Sequence, residues 1–207
     1  MPAISALSNS LTSATLASDD ILVIVDASTG ETKKVIVTNF LGGMVTQAFY
    51  DYADNATQSS ALALSASTWT DLPNDGAGAS TTATFKLPGV DNVWDTTDDD
   101  LDLSGLSIGD TVDVRVDIDV TTNSANQEIN LRLNFNNGGS SFTLPFYQNT
   151  FKATGAHSIV TIATFYIGAA PVKDNPITIQ IESDDTADVT VNGWMIRVLP
   201  RHPVLGV

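Results

Sequence analysis

The sequence predicts a mainly β fold, an antiparallel β-sandwich or jelly roll preceded by a small β-hairpin plus helix anchor. Between residues 60 and 199, short segments of alternating or β-branched apolar residues are separated by clusters of Gly, Pro, Asn and Asp. In TVDVRVDIDV, residues 111–120, every second residue is Val or Ile and most of the others are charged. Such a strand has one buried and one solvated face, which antiparallel sheets allow.

We place the sandwich domain at residues 61–199. Three local features refine its strands. Asn-Asn-Gly-Gly at 136–139 predicts a tight hairpin, and Asn192-Gly193 interrupts the alternation of the last strand and predicts a bulge. Segment 158–170 is apolar in both alternating phases, which predicts a strand buried on both faces, either centrally in the sandwich or against a neighbouring subunit. The predicted strands are 60–66, 81–87, 111–121, 127–136, 141–147, 157–167, 176–182 and 187–199.

Residues 1–52 are predicted to form an N-terminal segment of arm, hairpin and helix. The arm is rich in Ser, Thr and Ala, and apolar runs at 21–25 and 35–38 flank a Ser-Thr-Gly-Glu turn that predicts the hairpin. We expect residues 53–60 to be a linker and residues 200–207 an extended tail. The helix is predicted from apolar residues at helical spacing, namely Leu41, Met44, Val45, Ala48, Phe49 and Tyr52.

Neither an isolated hairpin nor a short helix is stable alone, so residues 1–52 need a surface to dock on. Two interpretations stay open. Either the segment meets its copies in a homo-oligomer and attaches to a larger assembly, or it packs on the chain's own second domain. The first interpretation assigns the oligomer interface to Leu41, Met44, Ala48 and Phe49, and the attachment surface to Ile21, Val23, Val25, Val35 and Val37.

The composition argues against several classes of function. With 24 acidic and 9 basic residues the net charge is -15, which disfavours binding to nucleic-acid phosphates or to an anionic membrane surface. The chain has no cysteine and hence no disulfide, thiolate nucleophile or cysteine-based metal site. The N-terminus lacks the basic and apolar regions of a signal peptide, and we expect no membrane insertion.

We expect no enzymatic activity. The two histidines, His157 and His202, have no marked partner that could orient them as catalytic bases. Close pairs of carboxylates arise by chance on so acidic a surface, so they do not indicate a glycosidase.

The densest acidic stretch, residues 91–110, leaves two interpretations open. Asp98, Asp100 and Asp102 are spaced like the start of a calcium loop, but Leu103 and Gly109 replace the glycine and glutamate that an EF-hand requires. The stretch is either a solvated loop or a calcium site that stiffens a loop. The calcium interpretation goes with an alternative function, that of a carbohydrate-binding module in which Trp69, Trp94 or Trp194 stacks on the sugar.

A short pattern in residues 4–42 resembles the N-terminal region of bacteriophage virion appendage proteins, chiefly tail fibres and head fibres. The elements that carry the resemblance are Asp19-Asp20, the run Ile21 to Val25, Asp26, Thr32-Lys33-Lys34, the run Val35 to Val37, and Asn39.

The resemblance implies a virion-attachment module followed by a trimeric β-rich domain. We therefore expect a virion structural protein, a fibre or a capsid-decoration protein, made in the host cytoplasm. Its expected partners are its own copies in a homotrimer, other virion structural proteins and a host surface glycan.

Overall fold

In the computed structural model the chain divides into two units, residues 1–45 and 46–207. Residues 47–76, 85–136 and 141–201 are described with their side chains, and residues 21–25 and 32–36 are described as backbone only. Within the described residues, no helix is long and apolar enough to cross a membrane.

The first unit contains the predicted hairpin. Strands β1 (Ile21–Val25) and β2 (Thr32–Ile36) pair antiparallel, with Val23 opposite Lys34 and Val35 opposite Leu22. The hairpin prediction is therefore confirmed. The predicted arm, the turn and Val37, Leu41 and Met44 lie outside the described residues.

The second unit is a β-sandwich of two antiparallel sheets, which confirms the predicted fold class. Its strands are β3 (Ala48–Ala53), β4 (Leu62–Leu64), β5 (Thr70–Asp71), β6 (Thr111–Thr122), β7 (Gln127–Asn136), β8 (Ser141–Phe151), β9 (Gly155–Tyr166), β10 (Ile177–Ser183) and β11 (Ala187–Leu199). Short helices α1 (Ala56–Ser59) and α2 (Ala170–Asp174) connect some of them. One sheet has the order β5-β10-β7-β8, and the other has the order β3-β11-β6-β9 with β4 paired to β11.

The core lies between the sheets and follows from the alternation in the sequence. In β6, the five branched residues of the opening pattern are fully buried, and β7 and β10 bury their own apolar phase in the same way. Each such side chain contributes roughly 1.5–3 kcal/mol when it leaves water. These residues are Val112, Val114, Val116, Ile118 and Val120 in β6, Ile129, Leu131, Leu133 and Phe135 in β7, and Ile177, Ile179 and Ile181 in β10.

The predicted bulge in β11 is confirmed. The register between β11 and β6 shifts between Val191 and Gly193. Gly193 has a φ of 155°, and a Cβ atom at this position would collide with the backbone oxygen of Tyr52 on β3. Only glycine combines this backbone conformation with so close an approach of the neighbouring strand.

The helix predicted up to residue 52 is wrong for residues 48–52, which belong to β3. Ala48, Tyr50 and Tyr52 are buried in alternation, and Tyr50 pairs with Ile196 of β11. The segment is apolar at helical spacing and also at every second residue from 48 to 52, and pairing with β11 decides between the two. Ala48 therefore lies in the sandwich core rather than on an oligomer axis.

The linker prediction for residues 53–60 is also wrong. This stretch contains α1, and the side chains of Asp54 and Thr57 are buried. The N-terminal boundary of the sandwich unit consequently lies before β3 rather than after residue 60.

Two strand predictions need correction. Residues 85–87 of the predicted strand 81–87 form a turn, and residues 81–84 lie outside the described part. The 157–167 segment forms β9, but β9 is an edge strand and only one of its faces is buried in the single chain. Central burial on both faces is therefore wrong, while burial against a neighbouring subunit stays a prediction.

Candidate functional site

Two of the three tryptophans belong to the core. Trp94 and Trp194 are each 2% exposed and meet edge to face with their ring centroids 5.8 Å apart. The Trp94 indole N–H donates to the backbone oxygen of Asn74 at 3.0 Å. Neither ring can therefore serve as a stacking platform for a sugar.

Trp69 lies on the outer face of the four-stranded sheet and remains partly exposed. The guanidinium carbon of Arg132 sits 3.8 Å from the centroid of its ring. Arg132 Nε donates to Gln180 Oε1 at 2.7 Å, and Gln180 Nε2 donates to Asp71 Oδ1 at 2.8 Å. The ring is thus held by a row of polar side chains that crosses β7, β10 and β5.

The same outer face carries a second polar group. Asn130 Nδ2 and Gln148 Nε2 donate to Glu128 Oε1 at 2.8 and 3.1 Å, and these hydrogen bonds lower the pKa of Glu128. Amide and carboxylate groups bind sugar hydroxyls, and aromatic rings stack on sugar rings. We call this outer surface, with Trp69, Arg132, Gln180, Glu128, Asn130 and Gln148, the amide face.

The acidic loop places Asp98, Asp100 and Asp102 around one depression of ≈ 220 Å³, beside Lys173 and Asp174. Burial, and after it the negative charges of Asp95, Asp98, Asp102 and Asp99, together raise the pKa of Asp100 to about 6. Asp102 Oδ1 accepts from the backbone N–H of Ser104 at 2.9 Å, so this carboxylate is used to form a turn.

Within the described residues, no group of three or more acidic or histidine side chains could hold a metal ion. The geometry thus gives the calcium assignment of Asp98, Asp100 and Asp102 no support, and this assignment stays a prediction.

Sequence analysis missed the buried carboxylate of Asp54. It accepts hydrogen bonds from the backbone N–H and the hydroxyl of Thr57 and from the backbone N–H of Asp75. Thr57 in turn accepts from the backbone N–H of Val191 at 2.8 Å. Asp54 therefore joins α1, the 72–76 segment and β11, and its spacing of three residues from Thr57 is the only local signal for this role.

His157 occupies a structural position at the start of β9. Its ring stacks on Phe151 with centroids 4.1 Å apart, and its Nε2 lies 3.0 Å from the backbone oxygen of Ala153 and 3.3 Å from Thr122 Oγ1. These contacts fix the corner between β8 and β9.

The edges of the two sheets formed by β8 and β9 carry exposed apolar side chains. Among the described residues six large apolar side chains are exposed, and four of them lie here: Phe142 (46%), Val160 (54%), Ile162 (55%) and Tyr166 (69%). We call this surface the β8–β9 side. A cleft of ≈ 400 Å³ at this surface is lined by nine residues, of which four are aromatic, namely Phe135, Phe142, Phe165 and Tyr166.

Of the residues predicted for the oligomer interface, Ala48 is buried and Phe49 is half-buried in β3. The predicted attachment residues of β1 and β2 lie in the separate hairpin, where the register pairs Val35 with Leu22 and so places Val35 on the opposite face from Val23. No comparison tests these assignments, and apart from the corrected position of Ala48 they stay predictions.

No protein-family model and no curated protein matches this chain. Among solved structures, it is similar to the Eiger TNF of S. frugiperda, with TM-score 0.44 and 10% identity over 78% of this chain and 98% of that chain. The PRD1 vertex protein P5 is similar with TM-score 0.38 and 15% identity, over 90% of this chain and 83% of that one.

A third similar structure is the CBM22-1–GH10 part of Clostridium thermocellum endo-1,4-beta-D-xylanase 10B complexed with xylohexaose. It has TM-score 0.38 and 10% identity, over 79% of this chain and 28% of that chain. At these identities a likeness concerns the fold alone.

Proposed function

We propose that this chain is a non-enzymatic structural protein of a bacteriophage particle, which residues 1–45 attach to the virion and whose sandwich unit is displayed as a homotrimer. The observation that carries the proposal is the separate hairpin. Strands β1 and β2 form a two-stranded sheet of their own in a unit distinct from the sandwich. This hairpin coincides with the pattern that resembles virion-attachment modules.

The attachment residues are Ile21, Val23, Val25, Val35 and Val37, which bind other virion structural proteins. A two-stranded hairpin is marginally stable in water, so a partner surface that covers its apolar residues also stabilises it. Burial of these branched side chains against the virion then provides the free energy of attachment.

The test is the number of copies of the chain per purified particle. The double variant Val23→Asp, Val25→Asp in the full chain should lower this number at least about tenfold, because both residues lie on one face of the hairpin and an unpaired carboxylate in an apolar contact is costly. The control is Ile108→Asp, the same kind of change at an exposed apolar residue of the sandwich unit. Equal incorporation of the double variant and the control contradicts attachment through the hairpin.

The amide face supports a second candidate function, recognition of a host surface glycan. The specific observation is Trp69, the one tryptophan among the three that remains partly exposed, held against Arg132 at 3.8 Å. The apolar C–H face of a sugar ring stacks on such a platform while the neighbouring amides bind its hydroxyls.

For this second candidate we predict that Trp69→Ala lowers affinity for the best glycan on an array at least about tenfold, because it removes the stacking surface. The control Phe85→Ala removes another exposed aromatic ring that lies outside the amide face. Chelator should leave binding unchanged if the amide face alone is responsible. Loss of glycan binding in chelator would instead indicate a calcium site in the acidic loop. Equal glycan binding by Trp69→Ala and wild type would exclude the amide face as the glycan-binding surface.

A further inference from the structure

We propose that a second copy of this chain docks on the β8–β9 side, so that this surface is the subunit contact of the homotrimer. The inference rests on the self-association part of the proposed function and names the surface responsible. It replaces the helix that sequence analysis assigned to the oligomer axis, since residues 48–53 are a strand of the sandwich.

The first argument is the concentration of exposed apolar side chains. Val160, Ile162 and Tyr166 project from the outer face of β9, whereas the outward residues of the neighbouring strand β6 are mostly charged. A contiguous apolar surface on an otherwise polar protein marks an interaction site. The pattern in β9 therefore fits a strand that is covered on both faces in the assembled protein.

The free edge of β9 lacks the features that keep other strand edges from pairing with a second chain. Of the other edge strands of the sandwich, β5 has two residues and β4 has three, β3 carries Asp51, and β8 contains Pro145 next to a register shift. Short length, charge and proline are the usual devices that keep an edge from pairing with another chain. Strand β9 has 12 residues and none of these devices.

The third argument is charge. All 24 acidic residues of the chain lie outside residues 129–173, the stretch that includes β8 and β9. Two copies with a net charge of -15 each repel one another through most of their surfaces. Within 129–173 the charged residues are Arg132, Lys152 and Lys173, so a facing copy meets no carboxylate from this stretch.

The nearest carboxylates on the neighbouring strand are already compensated within the chain. Asp113 is almost fully buried and accepts from the Arg197 guanidinium and from the Thr164 hydroxyl. Asp117 pairs with Arg115 at 3.1 Å. A second copy therefore covers the apolar residues without leaving these charges unpaired.

The experiment measures the mass of the full chain by light scattering over a range of concentrations. We expect wild type to assemble to a multiple of the 21.8 kDa chain mass, and Ile162→Asp to need at least about tenfold higher concentration for half assembly. Phe85→Asp is the matched control, since Phe85 is similarly exposed, at 57%, and lies two residues before Leu87, whose backbone N–H donates to Tyr50 of the opposite edge strand β3. Circular dichroism checks that both variants keep the fold.

A second measurement uses the absence of cysteine from the chain. In single-cysteine variants Ile162→Cys and Phe85→Cys, the first should be protected from alkylation at assembling concentrations and the second, near the opposite edge strand, should react freely. If wild type assembles but Ile162→Asp assembles equally well and Ile162→Cys reacts freely, the surface is wrong and the proposed function stands. If wild type stays a monomer at all concentrations, both this inference and the homotrimer are overturned, while attachment through the hairpin is judged separately by copy number.

Discussion

At the scale of single residues, the environment decides what each carboxylate of this acidic chain does. Asp113 is compensated by Arg197, and Asp54 is buried but accepts three hydrogen bonds from neighbouring donors. Asp100 has the opposite environment, because burial and four neighbouring carboxylates all disfavour its charged form. The same residue type therefore stabilises the fold at two positions and opposes it at a third.

Asp100 leads to a prediction about pH. Its pKa is raised from 3.8 to about 6 in the folded chain, so the folded state binds the proton more tightly than the unfolded state does. The stabilisation of the folded state by this protonation is complete below the pKa that Asp100 has in the unfolded chain. It is lost as pH rises through about 6. Asp100→Asn should therefore raise the free energy of unfolding at pH 7 by about 1 kcal/mol, a value reduced for solvent screening.

Urea unfolding at pH 4.5 and pH 7 measures this effect, with Asp188→Asn, an exposed position on β11, as the control. The stabilisation by Asp100→Asn should be larger at the higher pH. The calcium interpretation predicts the reverse in the presence of calcium, namely a wild type stabilised by the ion and a variant that loses this stabilisation.

At the scale of elements, the sequence correctly predicted the strands that have one buried and one solvated face. The bounds of β7 and β11 match the prediction, and the bulge in β11 lies at the predicted Asn-Gly. The β3 segment was misassigned because its apolar residues fit both a helix and a strand, and only pairing with β11 distinguishes the two. Local periodicity cannot show that a partner strand lies elsewhere in the chain.

The conformation of residues 87–93 could not be predicted for a related reason. The hydroxyl of Tyr50 donates to the backbone oxygen of Val90 and accepts from the backbone N–H of Leu87, both at 3.1 Å. The hydroxyl of Tyr52 accepts from the backbone N–H of Val93 at 3.0 Å. These contacts join residues about 40 positions apart, so no local pattern encodes them.

The bulge in β11 gives a prediction at this scale. Gly193→Ala should lower the free energy of unfolding by about 1–3 kcal/mol, because the added methyl group meets the backbone of β3 and the φ of 155° is strained for alanine. Gly155→Ala is the control, since it shares a positive φ, 118°, but its Cβ would meet nothing within 4 Å. Equal losses in the two variants would show that the close approach to Tyr52 costs nothing beyond backbone strain.

At the scale of the whole molecule, the chain separates its roles in sequence. A hairpin unit lies in residues 1–45, a sandwich unit follows, and residues 129–173 of that unit contain no acidic residue. The sequence indicated both parts, but the helical spacing of residues 41–52 favoured an oligomer interface there, and residues 48–52 instead belong to a strand of the sandwich. A signal for the proposed β8–β9 contact was present in the sequence, because the acid-free stretch 129–173 includes the strand that is apolar in both phases.

The central claim is that this chain is a resident structural protein of a virus particle. The measurement that tests it most directly is the quantity of the unmodified chain in gradient-purified particles, determined by mass spectrometry against an internal standard. The account predicts a fixed copy number per particle that is a multiple of three. Absence of the chain from particles that retain full infectivity and a complete set of other virion proteins contradicts it.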